Sequence, residues 1–454
     1  MSSAAGVAGR ALEAAAGDEA EAVVVAERSG LARFASSEVH QPTLIENVVV
    51  NLRVIREGRV GWASTNRIEP EGLRDLAARA GEAADSTRAD ESFPGLAPPE
   101  PLPKTDGYDD DTAALGADEQ ARLAASAIAA ASRYPVYGFF TSGVTEIAVA
   151  SSAGVEAAER LTDATALVIA AGEGASGYAE QSSWAAKEVD PAAVARESDE
   201  KAARTLEARP IDPGHYRAVL EPYAFAELLQ YFAYDSFGAQ GLLEERSYLC
   251  GRIGERVFDP KVSIADDALD PRGLPKSFDF EGCPKRRVDL IEDGVARGVV
   301  WDRASAAQAG EGAVTTGHAP PPLLREYGPL PFALSVAPGE AASVEELAEL
   351  VGDGIYVTRL HYLSIVDPRE GVITGMTRDG TFRIREGRIA EPLVNLRFTV
   401  AVPELLADVP GLTRETALVN QSDFYGERFP FGVLAPALAT ARFNISGTGS
   451  APGI

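Results

Sequence analysis

The densest group of residues in this chain that could do chemistry is a run of acids in two neighbouring turns. "IADDALDPRG" and "FDFEGCP" hold Asp266, Asp267, Asp270, Asp279 and Glu281. Carboxylates this close together could hold a hard cation or act as an acid and base pair. Their spacing does not fit an EF-hand, and acids beside Gly and Pro in turns are usually solvated or cap backbone N–H groups. The capping interpretation is therefore favoured.

The histidines are scattered along the chain, at His40, His215, His318 and His361. No pair has H-E-x-x-H or another helical ligand spacing, so each is expected to be a hydrogen-bonded structural residue. His361 is the strongest functional candidate, because one strand-like stretch, "TRLHYLSIVDPREG", contains Arg359, His361, Asp367 and Arg369. These four residues are the predicted lining of a substrate chamber.

Other catalytic signatures are weak. "GEGASG" (172–177) matches G-x-G-x-x-G, but "YAEQSSWAA" follows as a return strand where a dinucleotide site needs a helix, so a hairpin turn is predicted. No serine occurs in a G-x-S-x-G elbow. Cys250 and Cys283 lack C-x-x-C spacing, which predicts reduced thiols and no zinc knuckle.

One helix could carry a site on its polar face. In "YAFAELLQYFAYDSFG" (223–238), Phe225, Leu228, Leu229 and Phe232 recur at helical spacing and predict a buried stripe. The opposite face is expected to hold Glu227, Gln230, Tyr231 and Tyr234. The pattern alone leaves open whether that face binds a metal, acts as an acid or only packs.

The elements around these residues predict an α+β fold in 454 residues. We expect an N-terminal α+β domain (1–85), a Pro- and Asp-rich linker (86–112), a middle α+β domain (113–210) and a β-rich C-terminal domain (211–454). The first two domains are predicted to have antiparallel sheets. Turns such as "EDG", "RDG" and "REGR" predict hairpins in the last domain, in a barrel-like or strongly curled sheet.

The charge balance limits the possible partners. The formal net charge is −26, and Lys and Arg form no cluster, which argues against binding nucleic acid or an anionic membrane. No apolar run is long enough to span a bilayer, and the N-terminus has no export-signal pattern. A cytoplasmic location is expected.

The chain resembles the TldD/PmbA family, proteins known as modulators of DNA gyrase and grouped with metallopeptidases. The resemblance rests on "RFASSEVHQPTLIENVVVNLRVIREGRVGWASTNRIEPEGLRDLAARA", on "SSAGVEA", and on "VSIADDALDPRG", "FDFEGCP" and "GIYVTRLHY" through "REGRIAEPLVNLRF". The order of these pieces over most of the chain is what makes the resemblance specific.

In that family, one subunit type carries H-E-x-x-x-H on the helix that opens the last domain, with a later cysteine as third zinc ligand. The resemblance places Gln230, Tyr231 and Asp235 at the histidine, glutamate and second histidine, and no cysteine follows Cys283. It therefore implies the PmbA (TldE-like) type without metal, paired with a zinc-bearing TldD-type subunit that acts on unfolded or extended peptides.

Three hypotheses follow for the function. The first is the non-catalytic partner of a zinc peptidase, as a heterodimer with a TldD-like subunit. The second is an independent hydrolase with a relocated site around His361, Asp367 and the acids of the two turns. The third is a homodimer or larger homo-oligomer that binds extended peptides without chemistry.

Overall fold

A computed structural model describes residues 3–15, 19–90, 93–422 and 427–453, and it has the predicted α+β fold. The first part of the chain contains α1 (Ala4–Ala14), β1 (Glu19–Ala35), β2 (Glu38–Arg56), β3 (Arg59–Thr65), α2 (Pro70–Ser86), α3 (Asp110–Ala113), α4 (Ala117–Ala130), β4 (Val136–Ser151), β5 (Glu156–Gly172), β6 (Ala175–Ser183) and α5 (Pro191–Ala203). A short 3₁₀ helix, Ala186–Glu188, precedes α5.

The second part begins with β7 (Gly214–Leu220), α6 (Pro222–Ser236), α7 (Ala239–Leu243), β8 (Ile264–Asp266), β9 (Val288–Glu292), β10 (Val295–Ala296) and α8 (Arg303–Ala309). After a 3₁₀ helix at Pro322–Tyr327 come β11 (Leu334–Val336), α9 (Val344–Val351), β12 (Gly354–Asp367), β13 (Val372–Arg385), β14 (Arg388–Pro392), β15 (Leu396–Ala401), α10 (Val402–Leu405), β16 (Gly411–Asn420) and β17 (Gly432–Thr448).

The predicted N-terminal and middle domains share one antiparallel sheet in the order β3-β2-β1-β4-β5-β6. Two of its hairpins close as the sequence predicts. "REGR" (56–59) turns β2 into β3 through Glu57 and Gly58, whose φ angles of 51° and 75° suit a two-residue hairpin loop. "GEGASG" turns β5 into β6, with Gly172 paired to Ala175. The glycine motif is therefore a hairpin and not the start of a helix.

Helices cover this sheet through small side chains. In α2, Leu73, Leu76, Ala77 and Ala80 are buried, as the helical spacing predicts. The sequence pattern did not predict α1, which buries Val7 and Ala11 and is capped by the Ser3 hydroxyl, an acceptor for the Gly6 N–H. Alanine-rich faces allow the helices to lie close to the strands.

The Pro-rich segment after α2 has no helix or ladder-forming strand between Thr87 and Asp109 among the described residues, as its composition predicts. It is nevertheless attached to the C-terminal domain. Ala97 is fully buried, and Arg303 donates from Nη2 to the backbone carbonyls of residues 94 to 96 at 3.2–3.3 Å. The linker ends in α3, and the domain boundaries themselves stay predictions.

A mixed eleven-stranded sheet forms the C-terminal domain, in the order β10-β9-β8-β11-β17-β15-β13-β12-β7, with β14 and β16 paired to β13 and β17. It is strongly curled, because β7 pairs with both β12 and β17, but it is not a closed barrel as a whole. Two pairings, β11 with β17 and β12 with β7, are parallel, so the sheet is mixed and antiparallel hairpins form only part of it.

The turn predicted at "RDG" does not form. Residues 378–380 lie inside β13, where Arg378 pairs with Arg359 and Thr381 with Val357, so β13 has one extra residue. Asp379 has φ of 54° at this bulge, and its side chain is aimed at the neighbouring strand. "EDG" and the second "REGR" (385–388) do form turns, at β9–β10 and β13–β14.

Candidate functional site: a cleft beside helix α6

Helix α6 packs one wide face into the core of the C-terminal domain. Pro222 occupies its first turn, and Phe225, Leu228, Leu229 and Phe232 are buried as predicted. The expectation that Gln230 lies on the polar face was wrong. Ala226, Gln230 and Ala233 form a second buried row at helical spacing. The Gln230 Nε2 lies 3.5 Å from the Pro331 carbonyl oxygen, and its Oε1 has no hydrogen-bond partner among the described residues.

The remaining face of α6 borders a cleft of about 410 Å³ between the helix and both sheets. Its walls come from β4 to β6, α6, β12, the end of β16 and the two residues after it. They are lined by Phe139, Leu167, Tyr178, Glu180, Tyr223, Glu227, Tyr231, Tyr234, Arg359, Val419, Asn420, Gln421 and Ser422. Four tyrosines and two glutamates therefore line one open cleft.

Glu180, on β6, is held rigidly at the back of this cleft. Its Oε2 accepts from the Tyr178 hydroxyl at 2.5 Å, and its Oε1 accepts from the Asn420 backbone N–H at 2.8 Å. Burial raises the pKa of Glu180 to about 7, because desolvation outweighs these hydrogen bonds and the nearby Arg359. The carboxyl group can thus exchange a proton near neutral pH.

Glu227, on α6, is the second carboxyl group of the cleft. Burial raises its pKa to about 7, against the lowering effects of Arg359 and of a hydrogen bond from the Leu360 backbone. The charge of Glu180 raises it further. Two carboxyl groups with pKa values near 7 in one cleft could act as an acid and base or bind a cation.

The cation at the cleft wall, Arg359, is already paired. Its Nε and Nη2 lie 2.7 Å and 2.6 Å from Oδ2 of Asp379, which the β13 bulge presents. The guanidinium also covers the Tyr178 ring, with 4.2 Å between its carbon and the ring centroid. Arg359 is therefore a fixed part of the wall.

The predicted chamber-lining residues are not all brought together. Only Arg359 lines the cleft. His361 packs at a tilt against Tyr362, with 4.0 Å between ring centroids, beside a bulge in β12. Burial, together with Arg378 and Arg359, lowers its pKa. Asp367 accepts from the backbone N–H of Arg369, whose side chain donates to the Glu245 carbonyl.

The α6 positions that correspond to a zinc motif do not fit zinc. The Gln230 amide is directed into the core, and Asp235 is ion-paired to Arg246. Burial raises the pKa of the Tyr231 phenol, which disfavours the phenolate that could coordinate a metal. Zinc needs about three good N, S or O ligands, and this set does not supply them. No catalytic step through zinc follows from these residues.

The acid-rich turns are mostly structural, as the capping interpretation predicts, although two of their acids are buried and not solvated. Asp266 is fully buried and lies 2.8 Å from His318 Nε2 and 2.8 Å from the Ala333 N–H. Asp279 accepts N–H groups from Glu281, Cys283 and Ala319 at 2.9 Å each. None of the described hydrogen bonds or ion pairs of these acids involves His361.

Asp279, Glu281 and Cys283 bring possible metal-ligand atoms within 4.8 Å of one another. They are poorly suited to the task. Burial and the two neighbouring acids raise the pKa of the Cys283 thiol far above its usual value, which disfavours the thiolate. The Glu281 Oε1 lies 3.6 Å from Arg53, and both Asp279 oxygens already accept backbone N–H groups.

Sequence reasoning missed most of the cleft. It placed Glu227 and the tyrosines on the polar face of α6 but assigned no role to Glu180, Tyr178 or Asn420. Asn420 and Glu180 are 240 residues apart in the chain. The signal available was the strand "YAEQSS", in which Tyr178 and Glu180 alternate onto one face.

Comparisons with known proteins agree with this fold. A family model described as the PmbA/TldA metallopeptidase C-terminal domain matches residues 213–447. Models of domain 1 and of the central domain of the same family match residues 20–84 and 110–206.

Relatives by sequence are distant. A metalloprotease of Methanothermobacter thermautotrophicus is 27% identical over 263 residues, which cover 56% of this chain and 55% of the relative. A metalloprotease TldD homolog of Haemophilus influenzae is 26% identical over 212 residues, 45% of this chain and 42% of the relative. The matches thus span about half the length of these relatives.

Two solved structures share the fold over nearly the whole chain. TldE from Thermococcus kodakarensis superposes with a TM-score of 0.84 at 20% identity, covering 95% of this chain and 97% of that one. A putative modulator of a DNA gyrase from Thermotoga maritima gives 0.82 at 20% identity, covering 96% and 98%. Together with the family models, this fold shows that the chain belongs to the PmbA/TldD metallopeptidase family.

Proposed function

We propose that this chain is the non-catalytic, TldE-like subunit of a metallopeptidase complex, in which a TldD-type subunit supplies the zinc and acts on unfolded or extended peptides. The observation that carries the proposal is the state of α6. Gln230 is buried toward Pro331, and Asp235 is neutralised by Arg246, so the motif positions offer a metal no open set of ligands. The zinc chemistry of the complex then belongs to the partner.

The contribution of this chain is part of the enclosure that receives the peptide. The cleft beside α6 lies between both sheets and is lined by tyrosines, which present apolar rings and polar hydroxyls. Such a surface tolerates many side chains. Unpaired Cys250 and Cys283 agree with assembly in the reducing cytoplasm, which is part of the proposal.

The test is to purify the full chain alone and after co-expression with a TldD-type subunit from the same genome. We expect less than about a tenth of an equivalent of zinc and no peptide cleavage from the isolated chain, and cleavage from the co-purified complex. Zinc at one equivalent together with cleavage by the isolated chain would overturn the proposal. A homo-oligomer that binds peptides and never associates with the TldD-type subunit would favour the scaffold hypothesis instead.

A matched variant separates the two subunits' contributions. Asp235→Asn removes the carboxylate at a motif position without changing its size. If the partner holds the zinc, cleavage by the complex persists in this variant, whereas removal of zinc by a chelator abolishes it. Loss of cleavage in Asp235→Asn with the complex still assembled would place chemistry on this chain.

A further inference from the structure

The cleft beside α6 contains more negative charge than its own wall neutralises. Arg359 is the cation among the described lining residues, and Asp379 takes up its charge through two short contacts. In the part of the chain that the structure describes, the Glu180 carboxyl group accepts from two neutral donors, Tyr178 and Asn420. Arg359 is close enough to lower the pKa of both Glu180 and Glu227, but neither glutamate forms an ion pair with it or with another cation among the described residues.

The tyrosine rings that line the cleft differ in whether a cation lies against them. The Tyr178 ring is covered by Arg359, and the Tyr223 ring has the Lys201 ammonium 5.1 Å from its centroid. Tyr231 and Tyr234 also line the cleft, only half-buried, and they pack edge to face with 6.0 Å between centroids. The electron-rich faces of these two rings, next to a carboxylate, make a favourable environment for a cation.

We propose that this cleft binds a primary ammonium group of a peptide, held between the Glu227 carboxylate and the rings of Tyr231 and Tyr234, with Glu180 behind it. The ammonium can come from the peptide N-terminus or from a lysine side chain, since both present the same group. The inference deepens the proposed function and rests on it, because the ligand is taken to be a peptide. The site itself is made by this chain alone.

An anionic ligand fits the cleft less well. It would have to share Arg359 with Asp379, which the bulge in β13 holds against the guanidinium. It would also meet Glu180 and Glu227 at close range, at a cost that only a strong cation could offset. A neutral ligand would leave both carboxyl groups without the charge that stabilises their ionised form.

The experiment is titration calorimetry on the isolated full chain at pH 8 with four pentapeptides. One is pentaalanine amide with a free N-terminus, one is acetylated with a central lysine, one is acetylated and neutral, and one is acetylated with a central glutamate. At least one of the first two is expected to bind about tenfold or more tightly than the neutral peptide. Which of them does so identifies the source of the ammonium group.

Variants locate the binding to the cleft. Glu227→Gln keeps the size of the side chain and should remove the tenfold preference. Tyr231→Phe keeps the ring and should retain it, whereas Tyr231→Leu should reduce it severalfold. The matched control is Glu173→Gln in the exposed β5–β6 turn, which should bind as the wild type does. Circular dichroism of each variant confirms the fold.

Equal binding of neutral and cationic peptides, tighter binding of the glutamate peptide, no binding of any peptide, or a preference that survives Glu227→Gln would each overturn the inference. These outcomes are distinct from failure of the proposed function. That failure would appear as zinc content and cleavage by the isolated chain, which this titration does not measure.

Discussion

The surroundings of two buried carboxyl groups shift their pKa values in opposite directions. One group is Asp266 in the C-terminal sheet, and the other is Glu227 in the cleft. His318 and Lys285 oppose the desolvation of Asp266, and its pKa is lowered from its usual value. The pKa of Glu227 is raised to about 7, because burial outweighs its favourable contacts. The ionised carboxylate of Asp266 therefore stabilises the fold, whereas ionisation of Glu227 destabilises it. A buried carboxyl group with a raised pKa is typical of functional sites.

A similar contrast exists between the two glutamates of the cleft, Glu180 and Glu227, and a buried ion pair that connects the domains. Arg428 and Asp163 form a buried ion pair between the chain before β17 and β5, with 2.5 Å and 2.9 Å contacts. Both partners are almost fully buried and each supplies the charge that the other needs. Glu227 has no ion-pair partner among the described residues, so the two kinds of site should respond differently to mutation.

The largest effect is expected for Asp266→Ala. It leaves the buried His318 ring and the Ala333 N–H without their acceptor, and it removes the charge that compensates Lys285. We expect the free energy of unfolding, measured with urea at pH 7, to fall by about 3–5 kcal/mol. Because the native pKa of Asp266 is lowered, this contribution is present above the unfolded value near 4 and is lost as the pH falls through the native value.

The control for this change is Asp289→Ala on β9, the strand next to that of Asp266, which breaks an exposed ion pair with Arg287 just before the same strand. It should alter the free energy of unfolding by about 0.5 kcal/mol or less. An Asp266→Ala protein as stable as this control would show that the buried contacts are not what distinguishes the two carboxyl groups.

Glu227→Gln should have the opposite effect and raise the free energy of unfolding at high pH. Because the folded pKa is raised to about 7, the folded state binds more protons than the unfolded state between pH 4.5 and 7, and wild-type stability falls as the pH rises through that window. We expect the variant to match the wild type at pH 4 and to be more stable by about 1–2 kcal/mol at pH 8. Urea unfolding at both pH values measures the difference.

Glu173→Gln is again the comparison and should change stability little at either pH. A Glu227→Gln protein that is less stable than the wild type at pH 8 would mean that the ionised carboxylate contributes to the fold, and the contrast with Asp266 would disappear.

Gln230→Leu tests the buried face of the same helix. The Gln230 Oε1 has no hydrogen-bond partner among the described residues, and its Nε2 contact is long at 3.5 Å. Replacing the amide with an apolar group of similar size should raise the free energy of unfolding by about 1 kcal/mol. Gln41→Leu, at an exposed position on β2, should give no gain. A loss of stability in Gln230→Leu would show that the amide is satisfied by water.

Local patterns predicted much of this fold. Helical spacing identified α2 and α6, and two-residue turns with glycine identified the β2–β3 and β5–β6 hairpins. The spacing failed at Gln230, because the small residues Ala226 and Ala233 on either side allow the core to contact a second row of the helix. "RDG" has the composition of a turn, and only pairing with β12 makes it a bulge.

The cleft could not be predicted from local patterns, because its parts come from distant segments. Glu180, Glu227 and Arg359 lie on β6, α6 and β12, and the pairing of strands brings them together. The sequence instead drew attention to clustered residues, such as the acid-rich turns and the stretch around His361. The acids that are close together in sequence form turns and cap their own backbone N–H groups. The cleft instead forms by tertiary contacts between distant segments.

The smallest effect is expected for His361→Ala. The ring is half-buried, packs against the Tyr362 ring, and has no described hydrogen bond. Burial and two arginines lower its pKa, so it is neutral at pH 7 and its loss removes no charge from the cleft. Stability should change by about 0.5 kcal/mol or less, and the affinity for cationic peptides should stay within about twofold. Complete loss of an activity of the isolated chain in this variant would instead favour the hydrolase hypothesis. A residue outside the cleft would then be required for that activity.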